Sequence, residues 1–315
     1  MTSHRDAVGP STAGTSGSRG QWPQRVRDLS EVPEPLRTLF GQALGDERPV
    51  YCFLVGGSRP GGSWWTRSIP SQLVACTEDR LLVLRGWEDQ GPAEVWQTRL
   101  DRLLALEWGQ VQRRSWVRFI AAGPSGVSEA RVEYNTMGWA YVWQLLAAVV
   151  AGHRAIPPHA GRPQGPGSLE MLPAKFRNAL RHRLTPWDRL LCLAYQPKEL
   201  TRSGGLPWAW RVRFPGTVLT VTSHHVLLLE EEGRAMPDET DWGVIATYVP
   251  LSCVHRVEIE TTVEAARLHL TVGRDRVGWC ISVPWSLECL DGLRSAVACV
   301  ESAIGRAEIQ GSSPA

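Results

Sequence analysis

The sequence predicts an α+β fold, mainly β, in which one unit is built twice in tandem. Three observations lead there. Residues 65–84 align without a gap on residues 210–229, with Trp65/Trp210, Pro70/Pro215, Thr77/Thr222, Leu82/Leu227 and Leu84/Leu229 identical. Short runs that alternate apolar and polar residues recur around this block in both copies, the period of strands with one buried face. Each copy is also entered and left through a stretch with the apolar spacing of a helix. A duplication constrains architecture more than any single motif in this chain.

The elements follow in order. Residues 1–20 are rich in Ser, Thr and Gly and lack an apolar run that would serve as a signal peptide, so residues 1–31 are expected to be a disordered leader. Residues 33–44 put Leu36, Leu39, Phe40, Ala43 and Leu44 on one helical face; residues 173–184 do so with Phe176, Ala179, Leu180 and Leu184. Both stretches carry a proline near the first turn, where its missing N–H costs nothing. Strands are expected at 50–55 and 190–195, with Cys52 and Cys192 matched 140 residues apart. Leu73 to Cys76 and Leu81 to Leu84 flank Thr77-Glu78-Asp79-Arg80, and the second copy has Thr222-Ser223-His224-His225 there, so each copy carries a tight hairpin.

Further on, residues 100–108 align on 251–259, bringing Glu107 and Glu258 to the same place. Leu268, Leu270 and Val272 point inward and oppose Arg267, His269 and Thr271, as Val117, Phe119 and Ala121 do in the first copy. One more strand follows in each copy, and then a helix. Its face is read as Trp139, Trp143, Leu146 and Val150 in the first copy, and as Leu290, Leu293, Val297 and Ile304 in the second, with Ser286 as N-cap. The resulting units are 32–151 and 171–305. Between them residues 152–170 hold Pro157, Pro158, Pro163 and Pro166 among glycines, a partly stiff linker, and 306–315 form a polar tail.

Composition is that of a globular chain, 43% hydrophobic and 21% charged, and 315 residues suffice for two cores. The net charge of +2 from 34 basic and 32 acidic residues is too small a field to argue for nucleic acid, and no nucleic-acid partner is expected. Seven cysteines, odd in number and without Cys-x-x-Cys, read as buried free thiols in a reducing cytoplasm. No apolar run is long enough to span a membrane.

The order of each copy, a helix, about seven strands with the first hairpin pattern apolar-Thr-turn-Leu-Leu-x-Leu, and a closing amphipathic helix, resembles the pleckstrin-homology (PH) superfold in its bacterial PH and GRAM-like form. Val249-Pro250-Leu251-Ser252 followed by Val257-Glu258 is similar to the fourth-strand run of that family; the first copy departs from it with Arg99 where the second has Pro250. The resemblance implies two barrels, each a bent antiparallel sheet closed by its C-terminal helix and preceded by a short helix. Two small unrelated α+β barrels or sandwiches are the alternative.

In that family the loop after the first strand lies at the open end of the barrel and supplies phosphate ligands. Here it holds Arg59, Trp64, Trp65 and Arg67 in the first copy, and Lys198, Arg202, Trp208, Trp210, Arg211 and Arg213 in the second. Lys198 through Arg211-Val212-Arg213 is similar to the family's Lys-x(n)-Arg-x-Arg pattern. Guanidinium forks suit phosphate oxygens, and tryptophan suits a bilayer interface. Against a phosphate site, Arg67 aligns with Val212 and Arg213 with Ser68, and Glu230-Glu231-Glu232 falls near the same end. The other use of these residues is structural packing or a protein interface. Fifteen tryptophans serve core packing first, and Trp22, Trp64 and Trp208 fall in loops or flanks where they would anchor an interface.

His224 and His225 are read as solvated turn residues, and Cys253 and His255 as one strand face; neither pair has metal-ligand spacing. No nucleophile elbow, phosphate-cradling loop, dinucleotide fingerprint or His-Glu-x-x-His is present, so no catalytic residue, metal or cofactor is expected. The leading expectation is a non-catalytic, cytoplasmic tandem PH-like scaffold that contacts a protein partner. A peripheral membrane or anionic-ligand sensor using the basic loop of the second copy is the alternative, and an unrecognised enzyme the third.

Overall fold

The computed structural model describes residues 23–34, 36–57, 70–87, 90–111, 114–152, 169–184, 188–202, 210–231 and 243–311. The first half runs β1 (Pro23–Arg25), α1 (Leu36–Leu44), β2 (Tyr51–Val55), β3 (Ser71–Cys76), β4 (Arg80–Trp87), β5 (Gln90–Arg99), β6 (Leu103–Val111), β7 (Arg114–Gly123), β8 (Gly126–Asn135) and α2 (Trp139–Gly152). The second half runs α3 (Ala174–Arg183), β9 (Leu190–Gln196), β10 (Glu199–Arg202), β11 (Trp210–Phe214), β12 (Thr217–Thr222), β13 (His225–Glu231), β14 (Val244–Pro250), β15 (Val254–Thr261), β16 (Ala266–Arg274), β17 (Val277–Trp285) and α4 (Leu290–Gly311). The fold is mainly β, with antiparallel sheets and four α-helices among the described residues.

Local chemistry explains the shared turns. Between β3 and β4 the Thr77 hydroxyl accepts the Arg80 N–H at 3.0 Å; between β12 and β13 Thr222 accepts the His225 N–H at 3.0 Å. The threonine closes each turn by satisfying a donor that the ladder leaves over. A bulge interrupts the ladder between Leu103 and Ala105 in β6, and another lies between Val254 and Arg256 in β15, 151 residues on.

The described strands do not close into two separate barrels. The described sheets are open: β1-β2-β3-β4-β5, the short hairpin β10-β11, β15-β16-β17, and a seven-stranded sheet in the order β8-β7-β6-β14-β13-β12-β9. In that last sheet β6 of the first half pairs antiparallel with β14 of the second, from Val244 opposite Gln110 to Tyr248 opposite Leu106. β14 is apolar on both faces and mostly buried, which suits a central position and not an edge.

The shared sheet separates two cores. On one face Leu106, Trp108, Val117, Phe119 and Val132 meet the inner face of β2–β4, the α2 residues Val142, Leu145, Leu146 and Val149, and Phe176 and Leu180 of α3. On the other face Leu104, Ile120, Leu219, Val221, Val226 and Leu228 meet β15–β17, Trp285, and Leu293, Ala296 and Val300 of α4. A third cluster lies beneath α1, where Leu36, Phe40 and Leu44 cover Cys52, Leu73, Leu82 and Leu84. Each such fully buried leucine or phenylalanine contributes roughly 1.5–3 kcal/mol.

Several expectations change. Part of the expected leader is structured: β1 pairs with β2, and Pro23 lies so close to Gly138 that a Cβ there would clash with its ring. The last helix continues to Gly311, past the expected start of the tail at 306. The buried face of α2 is Val142, Leu145, Leu146 and Val149, while Trp139 is 39% exposed. Ser286 makes no side-chain cap; its N–H donates to Gln196 Oε1 at 2.8 Å. Cys52 and Cys192 are not equivalent. Cys52 pairs with Ala75, but a bulge slides β9 by one residue, so Cys192 pairs with Val221 and turns to the opposite side of its sheet. Residues 153–168 of the expected linker, like residues 1–22, lie outside the described residues.

Candidate functional site

Of the ten residues singled out in the two basic loops, Arg59, Trp64, Trp65, Arg67 and Trp208 lie outside the described residues, as do Trp22 and Glu232. The other five frame the β10–β11 hairpin. Thr201 pairs with Arg211 and Arg202 with Trp210. Alternation along β11 turns Arg211 and Arg213 to solvent and leaves Trp210 and Val212 half-buried, with Phe214 buried.

The cations of this hairpin do not converge on a common point. Arg213 Nη1 lies 2.9 Å from Glu199 Oε1, and its Nη2 donates to the Glu264 carbonyl at 3.4 Å. Lys198 Nζ is 3.9 Å from Glu231 Oε2, and the other oxygen of that buried carboxylate is 2.6 Å from Lys175 Nζ. The Arg202 guanidinium sits 5.5 Å from the Trp210 ring centre. Arg211 remains solvent-facing.

Lys198 and Arg213 line one wall of a groove of about 470 Å³. The opposite walls are the β15–β16 turn, with Val263 and Glu264, and the turn before α4, with Leu287 and Glu288. Val263 is 95% exposed and Leu287 37%, an apolar pair at the surface. Glu199, Glu264 and Glu288 bring three carboxylates against two cations, so the groove is mildly acidic. It can receive an apolar side chain next to a basic one; its charge opposes a phosphate.

A second concavity, of about 430 Å³, lies where the two halves meet and was not anticipated. Trp108 and Gln110 of β6, Trp139 of α2, Val244 of β14, and Lys175, Asn178, His182 and Arg183 of α3 line it. Along α3 the buried stripe is Phe176, Ala179, Leu180 and then Arg183, which is 4% exposed. Its guanidinium lies 4.8 Å from the Trp108 ring centre. The Trp108 indole N–H donates to the Tyr134 hydroxyl, and the Tyr248 hydroxyl donates to the Arg183 carbonyl at 3.3 Å. Burial raises the pKa of both phenols, so neither supplies a negative charge. The signal was legible: an arginine occupied a stripe position otherwise held by apolar residues.

His225 is not a solvated turn residue. It is 5% exposed, with Nδ1 3.7 Å from Asp188 Oδ1, because it opens the buried strand β13. Cys253 is buried in the turn before β15, and His255 points to solvent on the strand itself. Cys280 is exposed, and Cys192, Cys289 and Cys299 are half-buried, so only Cys52, Cys76 and Cys253 fit the buried-thiol reading. No group of three metal-ligating side chains occurs among the described residues, and none of their helices is long and apolar enough to cross a membrane. No protein-family model, curated protein or solved structure matches this chain.

Proposed function

We propose that the chain is a non-catalytic interaction protein made of two PH-like halves, and that it engages a protein partner through the groove beside the β10–β11 hairpin. What supports the PH-like reading is the succession of elements in each half: four antiparallel strands, three more, and a helix packed on them, with matching Thr-closed turns and matching bulges. In this reading the halves are fused through β6 and β14 and do not close independently.

The observation that carries the partner assignment is the neutralisation of the basic loop. Lys198 and Arg213, which would have to receive a phosphate, already hold Glu231 and Glu199. Removing them from those carboxylates opposes anion capture, whereas Val263, Leu287, Glu264 and Glu288 offer an apolar contact ringed by negative charge. The occupant is a protein segment that presents Lys or Arg next to an apolar residue.

Two arms test this. Co-sedimentation with phosphatidylserine and phosphoinositide vesicles, at low and high salt, should leave the protein in the supernatant. A photo-crosslinking residue at position 263 should trap a partner in the native cell, and the trap should be lost on Glu264→Lys with Glu288→Lys. Salt-sensitive pelleting abolished by Arg211→Glu with Arg213→Glu would instead assign the loop to an anionic membrane.

A further inference from the structure

We propose that the cleft between the two halves binds a small organic oxyanion, a carboxylate or phosphate carried on a flat apolar group, received by Arg183 and walled by Trp108 and Trp139. This site is separate from the β10–β11 groove and stands independently of it.

The argument starts from an unbalanced charge. Arg183 is 4% exposed, yet among the described residues no carboxylate lies within ion-pair distance of it, and its Nε bonds to nothing. A guanidinium does not shed its proton to escape burial, so the positive charge stays. The face of Trp108 and the C-terminal end of α3 supply negative potential, but neither lies in the plane of the guanidinium as an acceptor. Buried charges are paired or they are costly. The missing partner is an acceptor that enters from the cleft.

The surroundings select the same chemistry. Among the described residues no Asp or Glu lines the cleft. Lys175 and His182 of α3 also line the cleft, Lys175 held by Glu231 at 2.6 Å. Gln110 and Asn178 provide neutral donors at the margin. Trp139 meets His182 edge-on at 6.0 Å between centroids, and with Trp108 it lines the cleft with aromatic surface. A volume of about 430 Å³ is in the range of small-molecule pockets. A guanidinium fork at the bottom and indoles at the sides fit an oxyanion attached to a ring.

The test titrates phenyl phosphate, benzoate and inorganic phosphate into the full chain, read by tryptophan fluorescence and by thermal shift. Phenyl phosphate or benzoate should bind, and the tighter of the two names the head group. Arg183→Met should weaken binding about 10- to 100-fold, the value of a charge-assisted bond, while the unliganded variant melts at the same temperature or higher, because a buried unpaired charge has gone. Asn178→Glu, at an exposed position of α3, should weaken binding at least as much by placing a carboxylate at the mouth. The proposal is overturned if none of the three anions binds, if Arg183→Met binds them as the parent does, or if inorganic phosphate binds as tightly as phenyl phosphate. Arg183→Met melting well below the parent, with Asn178→Glu binding unchanged, would make Arg183 a packing residue only.

Discussion

Glu230 should make this protein less stable as pH rises from about 4.5 towards 7, and Glu230→Gln should remove the effect. The residue lies near the end of β13 on the face that carries Val226 and Leu228, and it is mostly buried. Burial first, and then the charge of Glu107, raise its carboxyl from 4.5 to about 7. The folded state therefore keeps a proton that the unfolded chain has already released. Below pH 4.5 both states are protonated and the contribution is fully present; it is lost as pH rises to about 7. A rise from 4.5 to about 7 corresponds to at most about 3 kcal/mol. Urea unfolding across this window, on the parent and on Glu230→Gln, gives the difference directly. The two should agree in acid, and the glutamine variant should gain up to about 3 kcal/mol on the alkaline side. Parallel stability curves would refute the reasoning.

Other expectations follow from single contacts. Gly109 lies in β6 at the seam, and a Cβ there would stand 2.3 Å from the Trp116 ring, so Gly109→Ala should cost about 1–3 kcal/mol in chemical unfolding. Gln196 is fully buried: its amide donates to the Pro284 carbonyl at 2.9 Å and the Pro215 carbonyl at 3.1 Å, and accepts from the Ser286 N–H at 2.8 Å. Gln196→Leu takes the acceptor from the Ser286 N–H and this donor from the Pro284 carbonyl, while the Pro215 carbonyl keeps the Thr217 hydroxyl at 3.0 Å; it should cost roughly 2–4 kcal/mol, whereas a loss below about 0.5 kcal/mol would mean water replaces the amide. A hydrogen bond from Cys299 holds the Cys192 thiol down to about 7, while burial pushes Cys52 and Cys76 up to about 12. Iodoacetamide mapping near neutral pH should therefore label Cys192 well before Cys52 or Cys76, and Cys299→Ala should slow that reaction.

Much of the local structure was legible because it rests on neighbours in sequence. The Thr77 and Thr222 turns, the inward faces of β7 and β16 and the short helices α1 and α3 all follow from spacing and turn chemistry. The union of β6 with β14 was hidden, because alignment matches β6 to β15 and β5 to β14, and so suggests equal surroundings. The apolar content shows otherwise: Val244-Ile245-Ala246-Thr247-Tyr248-Val249 is apolar on both faces, whereas Val254-His255-Arg256-Val257-Glu258-Ile259-Glu260 alternates with charge. The displacement of Cys192 relative to Cys52 was hidden for another reason. A one-residue bulge reverses the side on which every following side chain lies and leaves no mark in an alignment of apolar residues. The burial of Arg183 is masked in the sequence because a basic residue in the last turn of a helix already has a local explanation, its attraction to the helix end.

The seam has a counterpart, β15 against β5, that the chain does not make within itself. β5 and β15 stand 151 residues before β14 and after β6, and each is the terminal strand of its own sheet. A contact of this head-to-tail kind, repeated between molecules, has no built-in end. Copying the β6–β14 register onto β15 and β5 of two chains would set Glu94 against Glu260, with Glu258 beside them, along a ladder whose other outward positions include His255 and Arg256. Like charges face to face at an exposed edge oppose such growth. One pairing is made inside the chain, and the carboxylates at its counterpart oppose repeating it between chains.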